Sequence, residues 1–469
     1  MQNIFNEVST LDQRCYKELA LSEDLLMEHA ADGMADFIRQ NFSTPSGHFA
    51  YRSILISCGS GNNGADGMAL ARLLHKDFDV KLHLVKEPSS PMARLQYERI
   101  KKLGVDIVDT ISECDIVVDA IFGTGITRDL DKETALHVRV LNDLDAVKIA
   151  CDIPTGLHVN GVCDENTFCA DYTLTMGALK RSLFSDTAKD FVGEIKVLDL
   201  GVSRTVYETS SKTKLLDLDD MRLPHRKSKS SHKGSYGHLA IVSGEKLGAS
   251  VLCASAALRF GTALVTLLSN ENPQIPTELM LSHQLPKNAT AIALGMGLGI
   301  EFSQNELTQF LDNELPLLLD ADIFYHPLIT ELLKRDNIIL TPHPKEFVQL
   351  LHVSGLADIT VDELQRERFK YAELFAQKYK NAVLVLKGAN VIIAQDDTLF
   401  VNHNGTNVLA KGGSGDVLGG LIASLLAQGF TPLEASINGS LAHTKLALNY
   451  EGANFSLSPN DLIDGIKYL

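Results

Sequence analysis

Short apolar runs alternate with stretches of helical period along most of this chain. From Ser53 onward the runs Ile54–Ser57, Val80–Val85, Ile116–Ala120, Val147–Cys151 and Tyr172–Met176 read as strands separated by amphipathic segments. That alternation is the pattern of βαβ units around a parallel sheet. Upstream, Glu18–Gln40 places Leu25, Leu26, Ala30, Met34, Phe37 and Ile38 at helical spacing and predicts one amphipathic helix. A second alternation begins at His238–Ser243 and continues through Leu264–Leu268, Ala291–Leu294, Leu317–Asp320, Ile338–Leu340 and Val383–Leu386. Between the two, Ser203–Ser231 is rich in Ser, Thr, Lys and Arg and has no apolar period. The expectation is therefore two α/β domains, 1–214 and 215–469, with no repeat between them.

Length agrees with two cores, since 469 residues exceed one ordinary domain. With 45% hydrophobic and 22% charged residues, the composition is that of a soluble globular protein. A net charge of −16 argues against nucleic acid or anionic membrane as partners. Any phosphate site has to be built locally, and Arg222, Arg226, Lys227, Lys229 and Lys233 read as a solvated linker or the rim of a nucleotide site. Seven scattered cysteines without a C-x-x-C pair point to a reducing cytoplasm. The first residues have neither the basic start nor the apolar run of a signal peptide, and no apolar stretch is long enough to span a membrane.

Polar motifs recur where strands end. After the first strand comes Gly59-Ser60-Gly61-Asn62-Asn63-Gly64-Ala65-Asp66-Gly67, a turn whose backbone N–H groups can approach an anion. The next strand ends in Asp119-Ala120-Ile121-Phe122-Gly123-Thr124-Gly125, and another in Asp152-Ile153-Pro154-Thr155-Gly156. Carboxyl ends of adjacent parallel strands form the ligand crevice, so Asn63, Asp119, Asp152 and Thr155 should converge as oxygen donors fit for a hard cation. In the second half, Ala410-Lys411-Gly412-Gly413-Ser414-Gly415-Asp416 runs into an apolar helix, an arrangement that makes an anion hole with an acid beside it. Gly295-Met296-Gly297, Thr341-Pro342-His343-Pro344-Lys345-Glu346 and Lys387-Gly388-Ala389-Asn390 also sit at strand ends.

Through N-N-G-x-D-G, D-A-I-F-G-T-G and D-I-P-T-G, residues 1 to about 210 resemble the YjeF N-terminal domain, the NAD(P)HX epimerase family. The resemblance implies a Rossmann-like three-layer fold and substrate binding by Asn62, Asn63, Gly64, Ala65, Asp66, and by Gly123, Thr124, Gly125, Ile126, Thr127, Arg128 and Asp129. It implies Asp152 as the catalytic acid/base and K⁺ held by Asn63, Asp119 and Thr155. Ala65 stands where the family usually has Gly, and Thr155 where Ser is commoner.

Residues 225 to 469 resemble the ribokinase-like YjeF C-terminal domain, the ADP-dependent NAD(P)HX dehydratase family, through H-K-G-S-Y-G-H, T-P-H-P-x-E and G-G-S-G-D-V-L. This implies Mg²⁺ and ADP, with Asp416 catalytic. Ala249, Gly297 and His343 would contact the hydrated NADH or NADPH, and Lys387, Gly388, Ala389, Asn390, Val391 and Gly415 the adenine nucleotide. Departures are Met296 for Pro, Lys345 for Gly and Val391 for Thr. Family habit adds a homo-oligomer. Two readings compete: a vitamin or sugar kinase in the second half, and a non-enzymatic binding module in the first.

Overall fold

The computed structural model describes residues 1–42, 51–299, 307 and 313–469. The chain divides into two compact units, Asn3–Ser211 and Lys212–Leu469, the latter with Met1–Gln2. The division falls just ahead of the expected 214/215 break because Thr213–Leu215 is a strand of the second unit, pairing in parallel with Thr398–Asn402.

In the first unit a parallel sheet has the spatial order Asp106–Val108, Asp79–Leu84, Ser53–Cys58, Ile116–Ala120, Val147–Cys151, Tyr172–Met176, Glu194–Leu198. Successive side chains leave opposite faces. Ile54, Ile56 and Val118 meet the helices Glu23–Asn41, Asn62–Leu74 and Pro91–Leu103, while Leu55, Val117 and Ala150 meet Val138 and Leu141 of the helix Lys132–Asp143. The result is the expected three-layer α/β/α architecture. The strand order reverses between Ser53–Cys58 and Ile116–Ala120, which opens a crevice at their carboxyl ends.

Two local expectations are corrected. The expected helix Glu18–Gln40 starts later, at Glu23, and runs to Asn41, because Ala20 adopts φ +54° and Ser22 caps it by accepting from Leu25 N at 3.2 Å; a separate helix, Ser9–Glu18, precedes it. The glycine motif, expected as a turn over Gly59–Gly67, is mostly helix, since its helix starts at Asn62. Ala65 sits in the first turn, donating to Gly61 O, a conformation that suits Ala, so this departure leaves the backbone intact.

In the second unit the strands lie in the order Met280–Ser282, Leu264–Leu268, His238–Val242, Ala291–Leu294, Leu317–Leu319, Ile338–Leu340, Ala382–Leu386, Val391–Gln395, Thr398–Asn402, Thr213–Leu215. Pairing is parallel up to Ala382–Leu386 and antiparallel through the hairpin that follows. The helix Ser414–Ala427 is buried along nearly its whole length, and Gly420 permits that closeness, since a Cβ there would lie 2.3 Å from Cys253 O. No helix among the described residues is long and apolar enough to cross a membrane.

The glycine turn supplies a stability test. A Cβ on Gly64 would fall 2.0 Å from Gly59 O, whereas one on Gly61 meets nothing within 4 Å. Gly64→Ala should therefore cost about 2 kcal/mol or more, and Gly61→Ala about 0.5 kcal/mol or less, read from thermal and urea unfolding. Equal effects would show that the turn is looser than described.

Candidate active sites

Asp119 closes the strand Ile116–Ala120 and is wholly buried. Its Oδ1 accepts from Thr155 Oγ1 at 2.7 Å and Ile121 N at 3.1 Å, its Oδ2 from Thr155 N at 2.7 Å. Thr155 Oγ1 in turn accepts from Phe122 N, so the two predicted strand ends are tied together. Burial pushes the Asp119 carboxyl up to about 6. No Lys, Arg or His pairs with it among the described residues. Asn63 is nearby in the crevice and keeps a buried Nδ2 without a hydrogen-bond partner. A Cβ placed on Gly123 would lie 3.4 Å from both Asn63 Oδ1 and Asp152 Oδ2, so these three residues meet.

Asp152 sits at the end of Val147–Cys151 with φ +71°, a left-handed conformation costly for a residue other than glycine. It is held there by hydrogen bonds to Oδ1 from Met176 N at 2.9 Å, Thr175 Oγ1 at 3.3 Å and the buried Nζ of Lys180. Lys180 also donates to Thr175 Oγ1 and to Met176 O, each at 2.9 Å, so all three of its N–H donors are used. A cavity of about 320 Å³ opens above this pair, lined by Asn62, Asn63, Asp66, Gly123, Thr124, Gly125, Asp152 and Lys180. On its other side stand Asp12 and Tyr207, whose hydroxyl donates to Asp12 at 2.7 Å. Burial, with Asp152 and Asp12 beside it, raises the Asp66 carboxyl well above the usual range.

Not every expected residue faces this cavity. Ile126, Thr127, Arg128 and Asp129 line an adjoining one of about 700 Å³, with Ser60 and Lys86, and only Gly123 and Gly125 border both. Gly64 and Ala65 are buried in the helix start, and Asn62 turns its Nδ2 to Glu23 at 2.6 Å. Lys180, Asp12 and Tyr207 escaped the sequence reading. Lys180 follows the end of Tyr172–Met176, the same strand-end rule that picked out Asp119, whereas nothing in the sequence joins Asp12 to Tyr207.

In the second unit the glycine turn enters its helix through Gly413 at φ +89°; Ser414 N donates to Lys411 O at 3.2 Å, and the next amides, those of Gly415 and Asp416, are placed to face an anion. Beside this helix start, Lys387 Nζ lies 3.6 Å from where a Cβ of Gly415 would be. Lys387 donates to the buried Asp320 at 2.8 Å and lies 3.8 Å from Glu346 Oε2. Burial opposes its charge, yet Asp320 and Glu346 win and raise it. Glu346 is held by reciprocal capping with His343, N to Oε2 at 2.8 Å and N to Nδ1 at 3.2 Å, and burial lifts it to about 7. Asp416 is raised to about 6 by burial and by Asp320, against the pull of Lys387.

Gly297 and Ala249 come together, a Cβ on the former lying 3.0 Å from that of the latter. Gly388 and Ala389 stand exposed in the turn joining Ala382–Leu386 to Val391–Gln395, with Asn390 buried and Val391 beginning the second strand. Of the departures, Met296 is buried with its Cε facing Gly419, and Lys345 is exposed on the first turn of its helix. Asp320 and Glu346 are site residues that sequence reading placed only within a strand and a motif.

Comparison with known proteins follows the same division. A family model described as YjeF-related protein N-terminus matches residues 23–182, and one described as NAD(P)H-hydrate dehydratase matches residues 239–467. The chain is 42% identical over 480 residues to the bifunctional NAD(P)H-hydrate repair enzyme of Helicobacter pylori, covering 100% of both chains. It is 32% identical over 421 residues to that of Escherichia coli, covering 84% of this chain and 79% of the relative. A solved ADP/ATP-dependent NAD(P)H-hydrate dehydratase from Bacillus subtilis is 30% identical and covers 54% of this chain and 94% of its own, at a TM-score of 0.46.

The Asp152–Lys180 pair makes a separable prediction. Lys180→Met should lower the stability of the first unit by about 3 kcal/mol, because it leaves a buried carboxylate without its cation. Adding Asp152→Asn should recover part of that loss. A double variant no more stable than the single one, by thermal unfolding, would mean that the lysine acts through packing alone.

Proposed function

The chain belongs to the family of bifunctional NAD(P)H-hydrate repair enzymes, and we propose that its two units divide that work. Asn3–Ser211 interconverts the R and S epimers of hydrated NADH and NADPH. Lys212–Leu469 dehydrates the S epimer at the expense of ADP, giving AMP and phosphate. The observation that carries this reading is that each unit pairs an aspartate with a nearby lysine at its crevice, Asp152 with Lys180 and Asp416 with Lys387.

In the first site, the nitrogen lone pair of the hydrated ring expels the hydroxyl from C6. The Asp152–Lys180 pair gives that hydroxyl a proton, relayed by the carboxyl from the ammonium, and takes one back from the water that adds to the opposite face, so the sequence is proton-neutral. Lys180 fixes the orientation of the carboxyl. The adjoining cavity, with Lys86 and Arg128, suits the phosphates. K⁺ fits the position of Asn63, Asp119 and Thr155, because Asp119 is a buried carboxylate with no basic neighbour among the described residues. A bound alkali cation supplies there the charge that burial otherwise penalises.

In the second site, Asp416 takes the proton of the C6 hydroxyl as its oxygen attacks the β-phosphorus of ADP and AMP leaves. The ring nitrogen then expels phosphate, and loss of a proton from C5 restores the dihydronicotinamide. Helix-start amides and Lys387 receive the phosphates. Mg²⁺ fits the surroundings, since Asp320, Asp322, Glu346 and Asp416 outnumber Lys387 and the exposed Lys246 beside Asp322, and would otherwise repel a diphosphate. His343, Gly297 and Ala249 would face the dinucleotide, and the turn Gly388–Val391 the adenine nucleotide. All seven cysteines are free thiols, which accords with the cytoplasm as its compartment. Homo-oligomeric assembly is part of the same reading.

The test is recovery of dihydronicotinamide absorbance from mixed R and S hydrated NADH with Mg²⁺, K⁺ and ADP. The protein should restore all of it, Asp152→Asn about half before slow spontaneous epimerisation, and Asp416→Asn none, with a loss of about a hundredfold or more in rate. Dehydratase kcat/KM should fall as pH drops below about 6, because protonated Asp416 cannot accept a proton. Wild-type recovery that stops near half would remove the epimerase. A second measurement bears on the cation: K⁺ should raise the melting temperature more than Na⁺ does, and Asp119→Asn should abolish the difference.

A further inference from the structure

The glycine turn of the second site has a neighbour that no motif predicted. The segment joining the helices Pro432–Leu448 and Pro459–Gly465 is anchored at both ends: Tyr450 packs against the core, Leu457 is 1% exposed, and Pro459 Cγ lies 2.7 Å from where a Cβ of Gly413 would be. Between those anchors its shape is set by its own hydrogen bonds. Tyr450 Oη and Ser456 Oγ are 2.6 Å apart, and Ser456 N and Oγ both donate to Ala453 O at 2.8 Å. Lys411, immediately before Gly412 and Gly413, donates its Nζ to Phe455 O at 3.1 Å. Phe455 is the residue so held, and it is 80% exposed, more than any other large apolar residue among the described residues.

An aromatic ring presented by an ordered loop, beside amides that receive phosphate, is placed to stack on the base of a nucleotide whose phosphates occupy those amides. We propose that Phe455 is a specificity-determining residue of the dehydratase site, stacking on the adenine of the ADP that donates the phosphoryl group. This deepens the reading of the second unit and rests on it. The anchoring gives the stacking surface its position: the loop is fixed to Lys411 and Gly413, the residues that open the phosphate-facing turn, so ring and amides keep a set spacing. Stacking uses the π-face of the base alone. It therefore favours large purines over pyrimidines without selecting one purine by hydrogen bonds.

The experiment uses the full-length protein and measures dehydratase kinetics with ADP and with CDP, alongside direct ADP binding by calorimetry. Phe455→Ala should raise KM and Kd for ADP roughly tenfold, the effect of losing one base stack. KM for hydrated NADH should stay within about twofold, and the preference for ADP over CDP should shrink. Phe455→Tyr, which keeps the ring, should restore both. Circular dichroism and melting temperature check that the alanine variant is folded. Unchanged ADP affinity in Phe455→Ala would overturn the assignment, as would a rise confined to KM for hydrated NADH, which would give the ring to the dinucleotide. Wild-type protein that binds no ADP at all would instead sink the dehydratase reading, so the two failures are distinguishable.

Discussion

An ionised group taken out of water has to find its compensation within the protein. Each unit meets that demand with a lysine at the ends of its parallel strands, buried Lys180 in the first and half-buried Lys387 in the second. Lys180 uses every donor it has on Asp152, Thr175 and Met176. Lys387 is spread more thinly: it bonds Asp320 and stands near Glu346, while Asp416 lies farther along the same cluster. Burial is the larger influence on the other two carboxyls, and Lys387 opposes it only in part. Glu346 and Asp416, which share a cation already engaged by Asp320, are raised to about 7 and about 6. A carboxyl near 6 is suited to accept a proton at neutral pH and to release it afterwards, so burial, only partly opposed by Lys387, tunes the acid.

Backbone closeness imposes the other constraint. At the first crevice Gly59 N donates to Ala120 O at 3.0 Å, and a Cβ on Gly59 would lie 2.0 Å from Ile121 O. In the second, a Cβ on Gly295 would lie 1.7 Å from Asp320 O. These are the points where neighbouring strand ends meet, and only glycine lets them approach closely enough for one residue's carboxylate to reach another's amide. The motifs are rich in glycine for this reason as much as for anion binding.

Much of this was legible in the sequence because central parallel strands are buried on both faces and read as continuous apolar runs. Ile116–Ala120 and Ala291–Leu294 are of that kind. Asp106–Val108 and Met280–Ser282 are short edge strands with no buried residue, and they carry no such signal. The hairpin Val391–Gln395 with Thr398–Asn402 was missed because the expected alternation with helices stops there. The site divides along similar lines. Strand-end motifs gave Asp119, Thr155, Asp152 and Asp416, whose neighbours in sequence are also neighbours in space. Lys180 and Asp320 are partners of those residues across strands, a relation that the linear order of one chain does not display. Asp12 and Tyr207, 195 positions apart, are joined only by folding.

The acidity of the chain sharpens the question of how either unit could receive phosphates. Net charge sets the field far from the surface, whereas a bound diphosphate responds to groups within a Debye length or less. In the first unit Lys86 and Arg128 border a cavity that also holds Asp129 and Asp131, and Lys86 is already bonded to Asp131 at 2.6 Å. In the second, the cation nearest the helix start is bonded to Asp320. Side-chain charge is thus largely spent before a ligand arrives. The uncommitted positive ends are backbone amides, those of the helices beginning at Asn62 and at Ser414, which repel nothing in the ligand-free state and need no counter-ion. On the proposed reading an acidic enzyme of this kind can remain acidic, because backbone amides add to Lys86, Arg128 and Lys387 at the phosphates without adding net charge.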